Sequence, residues 1–409
     1  MKVLFVHCNF PAQFRHLAAR LCGEGQHTVH FLARGKEWTA SDIPGLIRHG
    51  YQLEREPTAQ LCHPYLRRME SAVLHGQGAL REAIKLRQQG FEPDLIVGHS
   101  GFGNTLYLKE VWPQARFIGY FEWFYRSSGS DVGFGRDEPT SPDTSLRVHT
   151  YNAPIVMDLA LADGALCPTQ WQASQFPEAL RQRLTVGFDG IDTDLFQPAA
   201  DGPSGLELGD LHIPADVPLV TYVTRCFEPY RGWPQVAAGL SLLLQRNPHC
   251  QVLLVGSDEV AYGSARGDGK SWRQWALDEY PMDPSRVHYL PPLQYEQYRQ
   301  VLRASWVHLY WTIPFILSWS LMESLSTGCC LVASGTPPVQ EVIRDGDEGI
   351  LVPFHDSQQL ADQTDRLLRD CTARRALGQR ARQRILDQGY DLPSCLLGQL
   401  QLIDQVMAG

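Results

Sequence analysis

Trp306-Val-His-Leu-Tyr-Trp-Thr-Ile-Pro-Phe-Ile-Leu-Ser-Trp-Ser-Leu-Met-Glu-Ser-Leu-Ser-Thr-Gly328 is the stretch that decides the fold. Trp306–Leu309 is a short apolar run of the kind that forms a buried parallel strand. A tight loop follows, then an amphipathic helix that stops at Gly328. The same alternation runs backward through Leu219–Val223, Val252–Val255 and Val287–Leu290, each separated by helical patterns. It recurs in the first half as Val3–Val6, Val29–Leu32, Leu95–Val97, Phe117–Ile118 and Gly164–Cys167, with helical stretches at Phe14–Cys22 and from Tyr65 to Gln89. Strands alternating with helices predict α/β units with doubly wound parallel sheets. The rhythm breaks at Pro198-Ala-Ala-Asp-Gly-Pro-Ser-Gly205, a linker signature. The expectation is two Rossmann-like domains facing across a cleft: 1–197, a linker 198–212, and 213–394. A last helix, 395–409, follows Asp391-Leu392-Pro393 and is expected to pack back on the first domain. Ligands of open parallel sheets sit beyond the carboxyl ends of the strands.

The 409 residues suffice for two cores, and 44% hydrophobic with 20% charged residues is ordinary for a globular protein. A net charge of −9 argues against general affinity for nucleic acid or anionic lipid, while leaving room for local basic patches. The ten cysteines stand singly apart from Cys329-Cys330, and none form a Cys-x-x-Cys pair. Free thiols in a reducing cytoplasm fit that pattern. The apolar run at Lys2–Val6 is too short for a signal peptide, and no run of about 20 apolar residues occurs.

Chemistry is expected at strand ends. The amides of Ile316, Leu317 and Ser318 open a helix and suit a diphosphate. Glu323, one turn in, would reach ribose hydroxyls; alternatively Ser320 and Glu323 form a capping box. Arg225 and Arg231, in Val220-Thr-Tyr-Val-Thr-Arg225-Cys-Phe-Glu-Pro-Tyr-Arg231-Gly232, suit a leaving diphosphate, or are solvated loop arginines. His99 lies just past the strand in Asp94-Leu-Ile-Val-Gly98-His99-Ser100-Gly101, where it meets a ligand or satisfies a local hydrogen bond. After the first strand, Asn9, Ala12 and Gln13 either present amides to phosphate or acceptor or form a turn. Glu122 and Tyr125, in the aromatic patch Tyr120–Arg126, offer acceptor surface or core packing. The loops at Gly256-Ser257 and Leu290-Pro291-Pro292 are expected at the nucleotide base, and Ser127–Asp143 at the acceptor.

These segments resemble glycosyltransferase family 4, a GT-B-fold family. Its members read Glu-x-Phe-Gly-Leu-x-x-x-Glu-Ala-Met-Ala-x-Gly-x-Pro-Val-Val-Ala; the matching run here ends Glu323-Ser-Leu-Ser-Thr-Gly328-Cys-Cys-Leu-Val-Ala333. Glu341-Val342-Ile343 with Gly346 follows where the family has a Glu-hydrophobic-Ile…Gly segment. The family's ribose-binding Glu maps onto Glu323, and its first Glu maps onto Phe315, a departure that removes an acidic contact to the donor sugar. The arginine segment resembles Gly-Arg-x-x-x-x-Lys-Gly, with Arg231 for Lys and one extra residue, and implies pyrophosphate binding by Arg225 and Arg231. His99 falls on the family's histidine near the donor sugar, where it implies orienting or stabilising the sugar. Asp192-Thr-Asp194 mimics a metal-binding Asp-x-Asp, but lies in a segment similar to the family's Asn-Gly-Val-Asp-x-x-x-Phe-x-Pro and reads as structural.

The resemblance implies retaining, metal-independent transfer from a nucleoside diphosphate sugar, UDP or GDP unresolved, to a hydroxyl acceptor: glycan, lipid-linked or small molecule. It implies no prosthetic group, no nucleic-acid partner, and peripheral membrane contact only for a lipid-linked acceptor. A non-catalytic sugar-nucleotide-binding paralogue and a GT-B-like nucleotide-sugar epimerase are the alternatives. A dinucleotide oxidoreductase is disfavoured because no Gly-x-Gly-x-x-Gly follows either first strand.

Overall fold

The structure, a computed structural model, describes residues 1–35, 43–58, 62–136, 138–200 and 202–409. Asp137, in the expected acceptor loop, and Asp201, in the expected linker, lie outside the described residues.

The chain forms two compact units: Met1–Gly190 with Leu392–Gly409, and Ile191–Asp391. In the first, β1 (Lys2–Val6), β2 (Thr28–Arg34), β3 (Ile47–Tyr51), β4 (Leu95–His99), β5 (Arg116–Tyr120), β6 (Gly164–Cys167) and β7 (Thr185–Val186) form one sheet in the order β3-β2-β1-β4-β5-β6-β7. Every pairing in it is parallel. Successive side chains of a strand point to opposite faces. Thus Leu4, Val6 and Leu32 enter one core layer with Ala79, Ala83 and Leu86 of the helix Arg67–Gln88. Val3, Phe5 and Phe31 enter the other layer, which the final helix Leu392–Ala408 covers with Leu402, Ile403 and Val406.

The second unit begins with a hairpin, β8 (Leu206–Leu208) and β9 (Leu211–Ile213). Its main sheet contains β10 (Leu219–Cys226), β11 (Gln251–Ser257), β12 (Val287–Leu290), β13 (Val307–Tyr310), β14 (Leu331–Ser334) and β15 (Ile350–Val352), ordered β12-β11-β10-β13-β14-β15. Read within each unit, both sheets share the order 3-2-1-4-5-6, the doubly wound pattern, with β7 added as a seventh strand in the first.

Two boundaries differ from the sequence expectation. Residues 191–197 belong to the second unit, not to a domain ending at 197. Ile191 N–H donates to Tyr390 O at 2.9 Å, and Phe196 O accepts from Ser326 Oγ at 2.6 Å and Arg382 Nη1 at 3.0 Å. These bonds bridge distant positions, so the Pro/Gly-rich composition at 198–205 marked a chain irregularity rather than the boundary. The expected linker 198–212 also contains β8 and part of the β8–β9 hairpin. The final helix starts at Leu392, three residues before the expected start.

One glycine controls how the loop after β4 seats. Gly103 has φ +93°, and a Cβ there would lie 2.1 Å from Ala72 O on the helix Arg67–Gln88. Gly103→Ala is expected to cost about 3 kcal/mol or more, combining left-handed strain with backbone overlap. A thermal melt checks this, and an unchanged transition removes the claim of close approach.

Candidate functional site

In a doubly wound sheet the chain reverses its winding between the first and fourth strands, leaving a crevice beyond their carboxyl ends. In the first unit that point lies between β1 and β4, and in the second between β10 and β13.

In the first unit, His7 follows β1 and His99 closes β4; their rings meet edge to face with centroids 4.8 Å apart. His99 is buried, and Nδ1 lies 2.8 Å from Ser100 O. A carbonyl only accepts, so Nδ1 carries the hydrogen and Nε2 is left for a ligand. Nε2 makes no hydrogen bond among the described residues and lies 3.5 Å from Glu122 Oε2. Gln13 Nε2 donates to Glu122 Oε1 at 3.1 Å, which fixes the other end of that carboxylate. Burial first, and then the neighbouring His99, hold the His7 imidazole well below its usual range. His7 is therefore neutral, with Nδ1 accepting from Asn9 N–H at 2.8 Å. Ala12, whose φ is +47°, turns the chain into the short helix that carries Gln13. His99, Glu122, Gln13 and Asn9 thus come together. Tyr125 takes different contacts: its N–H donates to Asn152 Oδ1 at 2.8 Å, and Arg68 lies 4.4 Å from its ring centroid.

In the second unit, Arg225 lies near the end of β10, where the ladder to β11 shifts register between Val223 and Cys226. It is exposed and forms no hydrogen bond or ion pair with any described residue. Arg231 is different. It is buried, its Nη1 donates to Thr312 Oγ1 at 3.0 Å and Ile316 O at 3.3 Å, and its guanidinium stands 5.3 Å from the Tyr262 ring centroid. The reading of Arg231 as a solvated loop residue is therefore wrong. Phe315 packs edge-on against Tyr230 and Tyr262, each at 5.3 Å, so an aromatic cluster occupies the position where an acid was expected by resemblance.

Of the three amides expected to receive a diphosphate, that of Ser318 is already committed, donating to Tyr310 Oη at 3.2 Å. Those of Ile316 and Leu317 have no hydrogen bond among the described residues. Ser318, not Ser320, caps the helix Trp319–Ser326. A capping box of Ser320 with Glu323 is therefore not formed. Glu323 is instead buried, with Oε1 accepting from Tyr295 Oη at 3.2 Å, and burial pushes its carboxyl up to about 7.

The expected base loops are less connected. Gly256 leaves too little room for a Cβ, which would lie 2.9 Å from Thr224 O, while Ser257 O accepts from Phe227 N–H at 2.9 Å. Leu290 packs against the core under β10 and β11, and Pro291 is exposed. Asp192 spends its carboxylate on a turn, accepting from Asp194 N–H at 3.2 Å and Leu195 N–H at 2.9 Å. Among the described residues no three His, Cys, Asp or Glu side chains are grouped to hold a metal ion. No helix among them is long and apolar enough to cross a membrane.

Comparison with known proteins matches residues 25–196 to the family model described as "Glycosyl transferase family 4 group" and residues 239–392 to that described as "Glycosyl transferase-like". Each half of the chain is thus similar to a glycosyltransferase family model. A D-inositol 3-phosphate glycosyltransferase of Corynebacterium efficiens is 26% identical over 201 residues, 49% of this chain and 46% of that protein. A phosphatidyl-myo-inositol mannosyltransferase of Mycolicibacterium smegmatis is 26% identical over 301 residues, 64% of this chain and 71% of that protein. The chain spans about half the length of the inositol-phosphate enzymes it matches. Among solved structures, sucrose-phosphate synthase of Thermosynechococcus elongatus superposes with TM-score 0.69 at 19% identity, covering 100% of this chain and 99% of that one. HepE of Anabaena, solved with UDP and glucose, superposes with TM-score 0.68 at 15% identity, covering 99% and 100%. The chain has the GT-B fold.

The sequence alone leaves several groups that hold this site unmarked. Glu228, fully buried, accepts from Gly263 N–H at 2.8 Å and Tyr262 N–H at 3.2 Å, and so pins the loop after β11 against the arginine segment. Asp158, also fully buried, accepts from Ser100 Oγ at 2.8 Å and Thr105 Oγ1 at 2.7 Å, anchoring the loop that carries His99. Burial pushes the Asp158 carboxyl up to about 6. A carboxylate flanked by apolar residues inside a helix, as in Ile155-Val-Met-Asp158-Leu-Ala, was the available signal for Asp158. Glu228 had none beyond its place between two arginines.

Proposed function

We propose that the chain is a retaining, metal-independent glycosyltransferase that moves a sugar from a nucleoside diphosphate sugar to a hydroxyl acceptor. The observation that carries this reading is the strand-end group of the second unit. There Arg225 is exposed, Arg231 is bonded to Ile316 O, and the Ile316 and Leu317 amides have no partner among the described residues. As the bond from the anomeric carbon to the phosphate oxygen breaks, negative charge grows on the diphosphate. Fixed guanidiniums and amides stabilise that charge with little reorganisation. The acceptor oxygen bonds to the anomeric carbon on the face the nucleotide leaves, and its proton passes to an oxygen of the departing diphosphate. No glycosidase-type carboxylate pair is then required.

Glu323 takes the ribose hydroxyls, and the first unit contributes His99 Nε2 and Glu122 as partners for sugar or acceptor hydroxyls. The UDP and glucose bound by HepE support a UDP-sugar as the first donor to test. The names of the inositol-phosphate and phosphatidylinositol relatives support a polyol-type hydroxyl acceptor. A cytoplasmic setting fits the ten free cysteines, with membrane contact only for a lipid-linked acceptor.

The aromatic cluster around Phe315 favours a second reading, a sugar-nucleotide binder without turnover. Incubation with UDP-, GDP- and ADP-sugars separates the two. Acceptor-dependent nucleotide release that persists in EDTA, with product retaining the donor's anomeric configuration by NMR, supports transfer. Binding without release supports the second reading, and donor isomerisation without acceptor indicates an epimerase.

His99→Ala is expected to lower turnover by about a hundredfold through lost positioning, with nucleotide affinity kept. Unaltered turnover would remove His99 from the reaction.

A further inference from the structure

The second unit has another opening, at the opposite ends of its strands. A cavity of about 950 Å³ lies where Trp306 enters β13 and where Cys329-Cys330 enters β14. Arg225 and residues 316–318 belong to the carboxyl ends of β10 and β13, so this cavity is separate from the proposed donor group. The helix Trp319–Ser326 starts beside the donor amides, and the residues that follow it, Thr327 and Gly328, line the cavity.

Arg303, Arg374, Arg375 and Arg382 line the cavity, and no acidic side chain does so among the described residues. None of the four has a carboxylate within ion-pair distance among the described residues. Many other arginines of the chain are paired, as Arg246 is with Asp362, Arg344 with Glu348 and Arg380 with Asp347. Asp370 and Asp194 act on Arg374 and Arg382 only at longer range. With a chain net charge of −9, four arginines around one cavity, none ion-paired among the described residues, do not follow from a basic composition.

Neutral carbonyls hold three of these side chains in place. Arg374 Nη1 donates to Leu368 O at 2.8 Å, and its guanidinium lies 4.3 Å from the Trp306 ring centroid. Arg382 Nη1 donates to Ser326 O at 2.7 Å, and Arg303 Nε donates to Gln197 O at 2.9 Å. Such bonds orient a guanidinium without cancelling its charge, and each head keeps further N–H donors. Arg375 is exposed, and its side chain forms no hydrogen bond or ion pair with any described residue. Fixed guanidiniums match phosphate oxygens in geometry and charge, and the volume is that of a metabolite site rather than a single ion.

We propose that this cavity binds a small soluble metabolite carrying at least two phosphate charges, at a site separate from the donor site. The ligand supplies a counter-charge that no carboxylate among the described lining residues supplies. Like-charged guanidiniums gathered around one cavity repel one another, and an anion among them relieves that repulsion.

Pyrophosphate titrated calorimetrically into the full chain is the test. Because pyrophosphate also suits the donor group, the titration is made in Arg225→Ala and in Arg225→Ala combined with Arg375→Ala. Binding should persist in the single variant and weaken at least about tenfold in the double variant, with a thermal melt unchanged by Arg375→Ala. Loss of all binding in Arg225→Ala alone, or equal affinity in both variants, overturns the proposal. Arg375→Glu should weaken binding further. Co-sedimentation with phosphatidylglycerol vesicles that depends on Arg375, without pyrophosphate binding, likewise overturns it in favour of a membrane surface. None of these outcomes requires glycosyl transfer, so failure here leaves the proposed reaction standing.

Discussion

Arg225→Ala should lower turnover of the sugar nucleotide by about a thousandfold while leaving the melting temperature nearly unchanged. The stability half of that expectation follows from exposure: Arg225 bonds to no described residue, so its loss leaves no buried group unpaired. The rate half follows from charge developing on the leaving diphosphate, which an exposed cation at the end of β10 is placed to meet. Arg231→Ala should lower turnover to a similar degree, but with a cost in stability as well. Removing that buried guanidinium strands Ile316 O, takes one hydrogen bond from Thr312 Oγ1 and uncovers Tyr262, at about 2–4 kcal/mol. Arg231 also holds the carbonyl of the residue whose amide is free, so it shapes the anion-binding loop besides charging it. Arg231→Lys keeps the charge and loses the second hydrogen bond, and should fall between the two. Steady-state nucleotide release and a thermal melt on the same samples read both effects. Near-normal turnover in Arg225→Ala would end the leaving-group argument.

The second large effect concerns Glu323 and has a definite sign in pH. Burial raises its carboxyl from an ordinary value near 4.5 to about 7. Below pH 4.5 the folded and unfolded states are both protonated, and the group's contribution to stability is fully present. Between pH 4.5 and 7 the unfolded chain ionises while the folded one keeps its proton, so stability falls as pH rises. The loss totals about 3 kcal/mol by pH 7, at about 1.4 kcal/mol per unit of pKa. Glu323→Gln should flatten this slope, since the amide accepts from Tyr295 without titrating. Denaturant titrations at pH 5 and pH 8 provide the measurement.

The same carboxyl should tie nucleotide binding to pH. Ribose hydroxyls donate better to a carboxylate than to a carboxylic acid, so affinity should rise from pH 6 to pH 8 with release of a proton. In Glu323→Gln that dependence should vanish and the Kd should weaken about tenfold. A wild-type affinity that is flat across this range would place the ribose elsewhere.

Local periodicity made most of the architecture legible. Buried strands of four or five apolar residues, bounded by polar turns, stood out at β1, β4, β6, β10 and β13 because each is covered on both faces. β3, Ile47–Tyr51, escaped notice: it is an edge strand reading Ile-Arg-His-Gly-Tyr, and only Tyr51 is fully buried. A strand needing little burial leaves little pattern. The short motifs around His99, Arg225, Arg231 and Glu323 were legible because strand ends and helix starts can be located from the same periodicity.

What the amino-acid sequence determined by itself is therefore the succession of strands and helices, the two α/β units, and the strand ends where charged and polar residues gather. Tertiary structure alone decided how those residues are used: Arg231 tied to Ile316 O, the Ser318 amide taken by Tyr310, Glu122 held by Gln13 beside His99, and residues 191–197 assigned to the second unit. The reason is range. Burial repeats over two to four residues and leaves its mark on neighbours, whereas a polar group's partner lies tens of residues away, 109 for Gln13 and Glu122, and leaves no local trace.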